Sequence, residues 1–187
     1  MHEYQEDPGK IIVWTDYDYT GCIKTRQSTT GGVVMHGSNL VQSWSITQAV
    51  IALSSGEAAY YAIVKGGYMG IGMQSIIADL EVKADIEIST DASAAKGIAS
   101  RTGLGKVRHM EVSQLWLQAH VSNGDLNVNK VNGGDKLADT LTTHVSKYVR
   151  VKHTTRVNST IVPGGHALSH EVDRIHACHG PQPLWYD

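Results

Sequence analysis

Leu53-Ser54-Ser55-Gly56-Glu57-Ala58-Ala59-Tyr60-Tyr61 joins an apolar, strand-like run to a long helical one. Ser54 followed three residues later by Glu57 has the spacing of a capping box, in which each residue satisfies a backbone N–H at the helix start. Beyond it Ala58, Tyr61, Ala62, Met69, Met73, Ile76, Ile77 and Leu80 recur at three- and four-residue steps. That period predicts an amphipathic helix with these side chains on its apolar face. The junction thus puts one acid, Glu57, just inside a helix start.

Upstream, residues 11–19 alternate and are rich in β-branched and aromatic types, which predicts a strand. Residues 31–37 and 39–47 read as two more, and short links between the three predict an antiparallel meander. Downstream come a strand over 84–90, a short helix over 92–100, a helix over 110–121 and a strand over 126–131. Asp135 is placed to cap a last helix reaching about Tyr148. The order β-β-β-α-β-α-α-β-α describes a mixed α/β domain over 11–150, after a lead-in over 1–10. Residues 151–187 hold His153, His166, His170, His176 and His179, continue basic to about Val157, and then read as a poorly ordered tail.

A chain of 187 residues, 41% hydrophobic and 18% charged, suits one globular domain with an appendage. No run approaches the roughly 18 apolar residues of a membrane span. The polar, acidic start is no signal peptide, which points to an intracellular protein. Cys22 and Cys178 lie too far apart in sequence to suggest a disulfide framework. A formal net charge of -2 counts against a broadly basic nucleic-acid-binding face. It does not exclude a substrate gripped locally through metal ions.

The acids that edge the regular elements are Asp16 or Asp18, Glu57, Asp91, and Asp139 or Asp135. Taken singly, each has a plain reading. Asp16 and Asp18 share one face of a strand and suit a turn, Glu57 completes a cap, and Asp91 and Asp135 are natural N-caps. Asp139 lies one turn further on and caps nothing. Taken together, they fall where strand ends and helix starts of an α/β sheet meet. Carboxylates gathered there repel one another unless hard cations lie between them, and two such ions suffice to hydrolyse a phosphodiester.

The ordered set of motifs resembles the ribonuclease H domain of copia-type retrotransposon polyproteins. The segments are Thr15-Asp16-Tyr17-Asp18 with Arg26-Gln27-Ser28-Thr29-Thr30-Gly31, then Ser43-Trp44-Ser45 and Ala52 to Tyr60. They continue with Thr90-Asp91-Ala92-Ser93-Ala94-Ala95, Arg108-His109-Met110-Glu111-Val112 and Leu137-Ala138-Asp139-Thr140-Leu141-Thr142. The resemblance implies a ribonuclease H-like fold, a five-stranded mixed sheet whose first three strands are antiparallel, flanked by helices. It implies hydrolysis of the RNA strand of an RNA/DNA hybrid during reverse transcription, with two Mg2+ ions for which Mn2+ substitutes. By motif, Asp16, Glu57, Asp91 and Asp139 would be both the catalytic residues and the metal ligands, Asp16 and Asp91 central. The implied partners are the hybrid and the reverse transcriptase and integrase regions of the same polyprotein; the implied location is a cytoplasmic particle or the nucleus.

Three segments depart from that family. Ile46-Thr47-Gln48 replaces lysines, Ala92-Ser93 replaces Asn-Gln, and Gly66, Gly67, Gly70 and Gly72 interrupt the long helix. An interior helix glycine costs roughly 1 kcal/mol relative to alanine, so the four predict a helix that has lost stability, as in a degenerate copy. Two rival readings follow: a catalytically inactive hybrid- or protein-binding module, and a zinc site in the tail using His166, His170, His176, Cys178 and His179.

Overall fold

Strand β1 (Lys10–Asp18) lies at the centre of the sheet because its alternation gives it two apolar faces, Ile11 and Val13 on one, Ile12 and Trp14 on the other. The computed structural model describes residues 5–103 and 115–159. Around β1 the sheet adds β2 (Thr29–His36), β3 (Asn39–Thr47), β4 (Asp85–Thr90) and β5 (Leu126–Lys130), in the order β3-β2-β1-β4-β5. β1 pairs antiparallel with β2 and β2 with β3, while β4 runs parallel to both β1 and β5. This five-stranded mixed sheet with flanking helices is the architecture that the resemblance implies.

Helix α1 (Ser55–Asp79) covers one face, followed by α2 (Ser93–Ala99) and α3 (Trp116–Asn123) on the same side. Its start is the predicted one: Ser54 Oγ accepts from the Glu57 N–H at 3.2 Å. The predicted apolar face is partly displaced. Ala58, Ala62 and Ile77 are buried, but Ile76 and Leu80 are 60% and 72% exposed. The line that meets the sheet runs instead through Ala59, Ile63, Gly66 and Gly70.

Three of the four helix glycines have a packing reason, which corrects the expectation of a merely weakened helix. A Cβ on Gly66 would stand 2.5 Å from Thr15 Cγ2, and one on Gly70 would stand 2.8 Å from Ile86 Cγ2. A Cβ on Gly67 would meet Leu117 Cδ1 and the Trp116 ring at 3.0 Å. Their missing side chains let α1 lie close on β1, β4 and α3. Gly72 faces open space, and there the ordinary cost stands.

The opposite face carries a smaller core of Val33, Met35, Leu137, Ala138 and Val157, backed by Ile12, Trp14 and Leu141. Here the predicted helix over 135–148 is not formed. The chain makes two single turns of 3-10 helix, Gly133–Asp135 and Asp139–Leu141, and only then α4 (Lys147–Arg156), which Ser146 caps. The β-branched Thr140, Thr142 and Thr143 disfavour a helix here, and Thr142 and Lys136 are drawn sideways to β1. Helix α4 runs through position 150 and buries His153. Of the predicted helix over 110–121, positions 110–114 lie outside the described residues, as does His109. Most of the His-rich tail lies outside them too, including every residue of the zinc reading.

Candidate active site

The parallel pairing of β1 with β4 decides which acids meet. Its last pair is Trp14 with Ser89. Beyond that pair Asp16 continues β1 and Asp91 follows directly on β4, so both acids stand toward the carboxyl edge of these parallel strands. That edge is where open α/β sheets place their ligands. Asp16 is 2% exposed, and Asp91, past the end of its strand, is half-buried.

Between the two carboxylates lies an ammonium group. Lys136 Nζ is 3.0 Å from Asp16 Oδ1 and 2.8 Å from Asp91 Oδ2. Thr142 Oγ1 donates to the other oxygen of Asp16. That hydroxyl also lies 3.2 Å from the Asp139 carbonyl, but it has one hydrogen, and the carboxylate is the stronger acceptor. Burial disfavours charge on Lys136, yet the hydrogen bonds to Asp91 and Asp16, with their negative charges, outweigh it and hold its pKa above the ordinary lysine range.

How Lys136 arrives there follows from the backbone. After β5 the Val131 N–H still bonds to the Thr90 carbonyl at 2.8 Å. The turn through Asn132, Gly133 and Gly134 then sends the chain back across β4 and β1 on the face away from α1. Leu137 and Ala138 bury against β2, and Lys136 is left over the acids. Gly31 makes room for this crossing. It is the ladder partner of Asp16, and a Cβ there would stand 2.8 Å from Thr142 Cγ2 and 2.9 Å from Leu141 Cβ.

The remaining predicted residues fall as follows. Glu57 is 1% exposed, and its carboxylate accepts from the Leu53 N–H and from Tyr61 Oη, both at 3.0 Å. It closes the helix start one residue upstream of a standard capping box. Tyr17 shares a side-chain hydrogen bond with Ser55 at that start; burial and then the Asp91 charge push its pKa up. Asp139 is half-buried on the far turn, and its charge partly opposes the downward shift that burial imposes on His153. The Asp18 carboxylate folds over Gly21 in the turn after β1, whereas Asp16 points to Lys136. The side chain of Asp135 lies outside the described residues.

The structure therefore brings Asp16 and Asp91 to one lysine and holds Glu57 in the cap of α1. Among the described residues, no set of three or more His, Cys, Asp or Glu side chains is gathered to hold a metal ion. The donor chemistry of the pair fits a hard cation all the same: carboxylate oxygens converge on one positive charge. Sequence reasoning missed Lys136, Thr142 and Tyr17. A lysine one residue after an expected helix cap reads as an exposed helix residue, and nothing local marks it as a bridge.

Of the departures from the family, Gln48 has a structural task. It is buried, and its amide donates to Thr30 Oγ1 and to the Ala58 carbonyl, both at 2.9 Å, tying the end of β3 to α1. No helix of the described residues is long and apolar enough to cross a membrane.

No family model matches the chain. Among solved structures, it is similar to LC11-RNase H1 in complex with an RNA/DNA hybrid, at 16% identity over 71% of this chain and 93% of that one, with a TM-score of 0.47. LC11-RNase H1 isolated from compost by a metagenomic approach gives 18% identity over 71% and 92%, with a TM-score of 0.49. The N-terminal RNase H domain of a Mycobacterium tuberculosis protein, fused to maltose binding protein, gives 15% over 71% and 90%, with a TM-score of 0.47. In sequence, the chain is 26% identical over 131 residues to the retrovirus-related Pol polyprotein from transposon TNT 1-94 of Nicotiana tabacum. That match covers 69% of this chain and 10% of the polyprotein, so the chain is similar to a short stretch of a retrotransposon Pol polyprotein.

Proposed function

We propose that this chain cleaves the RNA strand of RNA/DNA hybrids endonucleolytically, as a ribonuclease H acting in retrotransposon reverse transcription. The observation that carries the reading is the Asp16–Asp91 pair, one acid buried and both aimed at a single cation at the carboxyl edge of the sheet. The motif order and the similarity to a Pol polyprotein support it.

In this reading Asp16 and Asp91 would be the central ligands of two Mg2+ ions, and Glu57 and Asp139 would complete the set. When bound, the ions would supply an activated water and charge stabilisation at the leaving oxygen. The chain's own residues do the positioning. Thr142 and Gly31 hold Asp16 in its orientation, and the register of β1 with β4 sets Asp91 against it. Leu53 and Tyr61 hold the Glu57 carboxylate at the helix start. The hybrid would be selected by width and 2′-hydroxyls rather than by base sequence. Reverse transcriptase and integrase regions of the same polyprotein would be its partners, in a cytoplasmic particle or the nucleus.

A second reading, a non-cleaving hybrid- or protein-binding module, is favoured by Lys136 standing between the acids. Incubation with an RNA-labelled RNA/DNA hybrid, and with RNA/RNA and DNA/DNA duplexes, separates the two. Metal-dependent cutting confined to the hybrid supports the ribonuclease. Binding without cutting by a folded protein supports the module.

A further inference from the structure

We propose that Lys136 is a tethered cation that occupies the Asp16–Asp91 site and must swing out before a divalent ion binds there. The proposal rests on the reading of this pair as a metal site and adds a residue that sets its affinity. An ammonium and a divalent ion compete for the same oxygens. At 3.0 and 2.8 Å from the two carboxylates, Nζ leaves no room between them for a second cation.

The tether suits an exchange. Lys136 is only 18% exposed, but the exposed Gly133 and Gly134 precede it, and its stem passes 3.8 Å from where a Gly133 Cβ would be. Behind it Leu137 and Ala138 are fixed in the core. The side chain can therefore leave by rotation about its own flexible stem while the backbone that packs on β2 stays in place. With Lys136 in, the pair is neutralised in part and Asp16 is not left as a bare buried charge. With Lys136 out, the oxygens face a hard cation.

The test is Mn2+ binding to the full chain, measured by isothermal titration calorimetry, for the unaltered protein, Lys136→Gln and Asp91→Asn. Lys136→Gln is expected to bind Mn2+ about tenfold more tightly or better, equivalent to about 1.4 kcal/mol, and Asp91→Asn to lose binding. Equal or weaker binding by Lys136→Gln, with Asp91→Asn still abolishing it, overturns the competition while leaving the metal site standing. Absence of binding in both the unaltered protein and Lys136→Gln overturns the metal-site reading and this proposal with it. Should Lys136→Gln fail to fold, acetylation of Lys136 in the unaltered protein, read by peptide mass spectrometry, decides. Faster modification on adding Mn2+ supports displacement, and an unchanged rate at saturating Mn2+ contradicts it.

Discussion

The Lys136 ammonium bridges Asp16, on β1, and Asp91, one residue past the end of the parallel strand β4, at 3.0 and 2.8 Å. One acid is buried by the segment that delivers the lysine, so site and closing segment are built together.

The Thr142 hydroxyl completes the shell of Asp16. Thr142→Val keeps the shape and removes the donor, leaving a buried carboxylate oxygen unpaired. The expected loss is about 1–3 kcal/mol of stability in urea unfolding, with Thr142→Ser close to the parent. Gly31→Ala forces a methyl to within 2.8 Å of Thr142 Cγ2 and 3.2 Å of the Ala138 carbonyl. It is expected to cost a further 1–3 kcal/mol, roughly, by pushing the closing segment off β2.

The glycines of α1 should part company. Gly66→Ala and Gly70→Ala put a methyl against Thr15 and Ile86, and both are expected to lower the urea midpoint. Gly72→Ala meets nothing within 4 Å and is expected to raise stability by up to about 1 kcal/mol. Equal gains at all three positions would contradict the close approach of α1 to the sheet.

Alkaline pH should destabilise the fold through Tyr60 and Lys136, with Tyr17 acting in the same direction. Burial pushes the Tyr60 hydroxyl from 10.0 up to about 12. The Lys136 pKa lies above 10.5, the carboxylates overcoming burial. A folded-state pKa raised above the unfolded one means that the folded protein holds the proton more tightly. The stability so gained is complete below about pH 10 and is lost as pH rises through the folded-state values. Thermal melts from pH 8 to 12 are expected to fall steeply above pH 10. For Tyr60→Phe, roughly 2 kcal/mol of that slope between pH 10 and 12 should vanish.

Much of this was legible in the residues. Alternation placed the five strands, and Ser54 with Glu57 placed the start of α1, because both signals are local. Of the two acids at the end of β1, Asp16 reaches Lys136 and the Asp18 carboxylate lies over Gly21, a difference that strand alternation alone does not show. What stayed hidden depends on distant contacts. The face of α1 is set by which side of the helix fits β1, so a glycine stripe displaced the expected Ile76 and Leu80. The segment 135–148 has a helical pattern, but Lys136 and Thr142 reach β1, a partner more than a hundred residues earlier. The bridge itself needs the β1–β4 register, which no sequence spacing encodes.

The most direct measurement is cleavage of an RNA/DNA hybrid, labelled in its RNA strand, by the purified full chain with Mg2+ or Mn2+, beside Asp91→Asn. Metal-dependent cutting by the parent that disappears in a folded Asp91→Asn is the predicted result. Cutting that survives Asp91→Asn, or no cutting by a cooperatively folded parent at any metal concentration, would contradict the assignment of Asp16 and Asp91 as the catalytic pair.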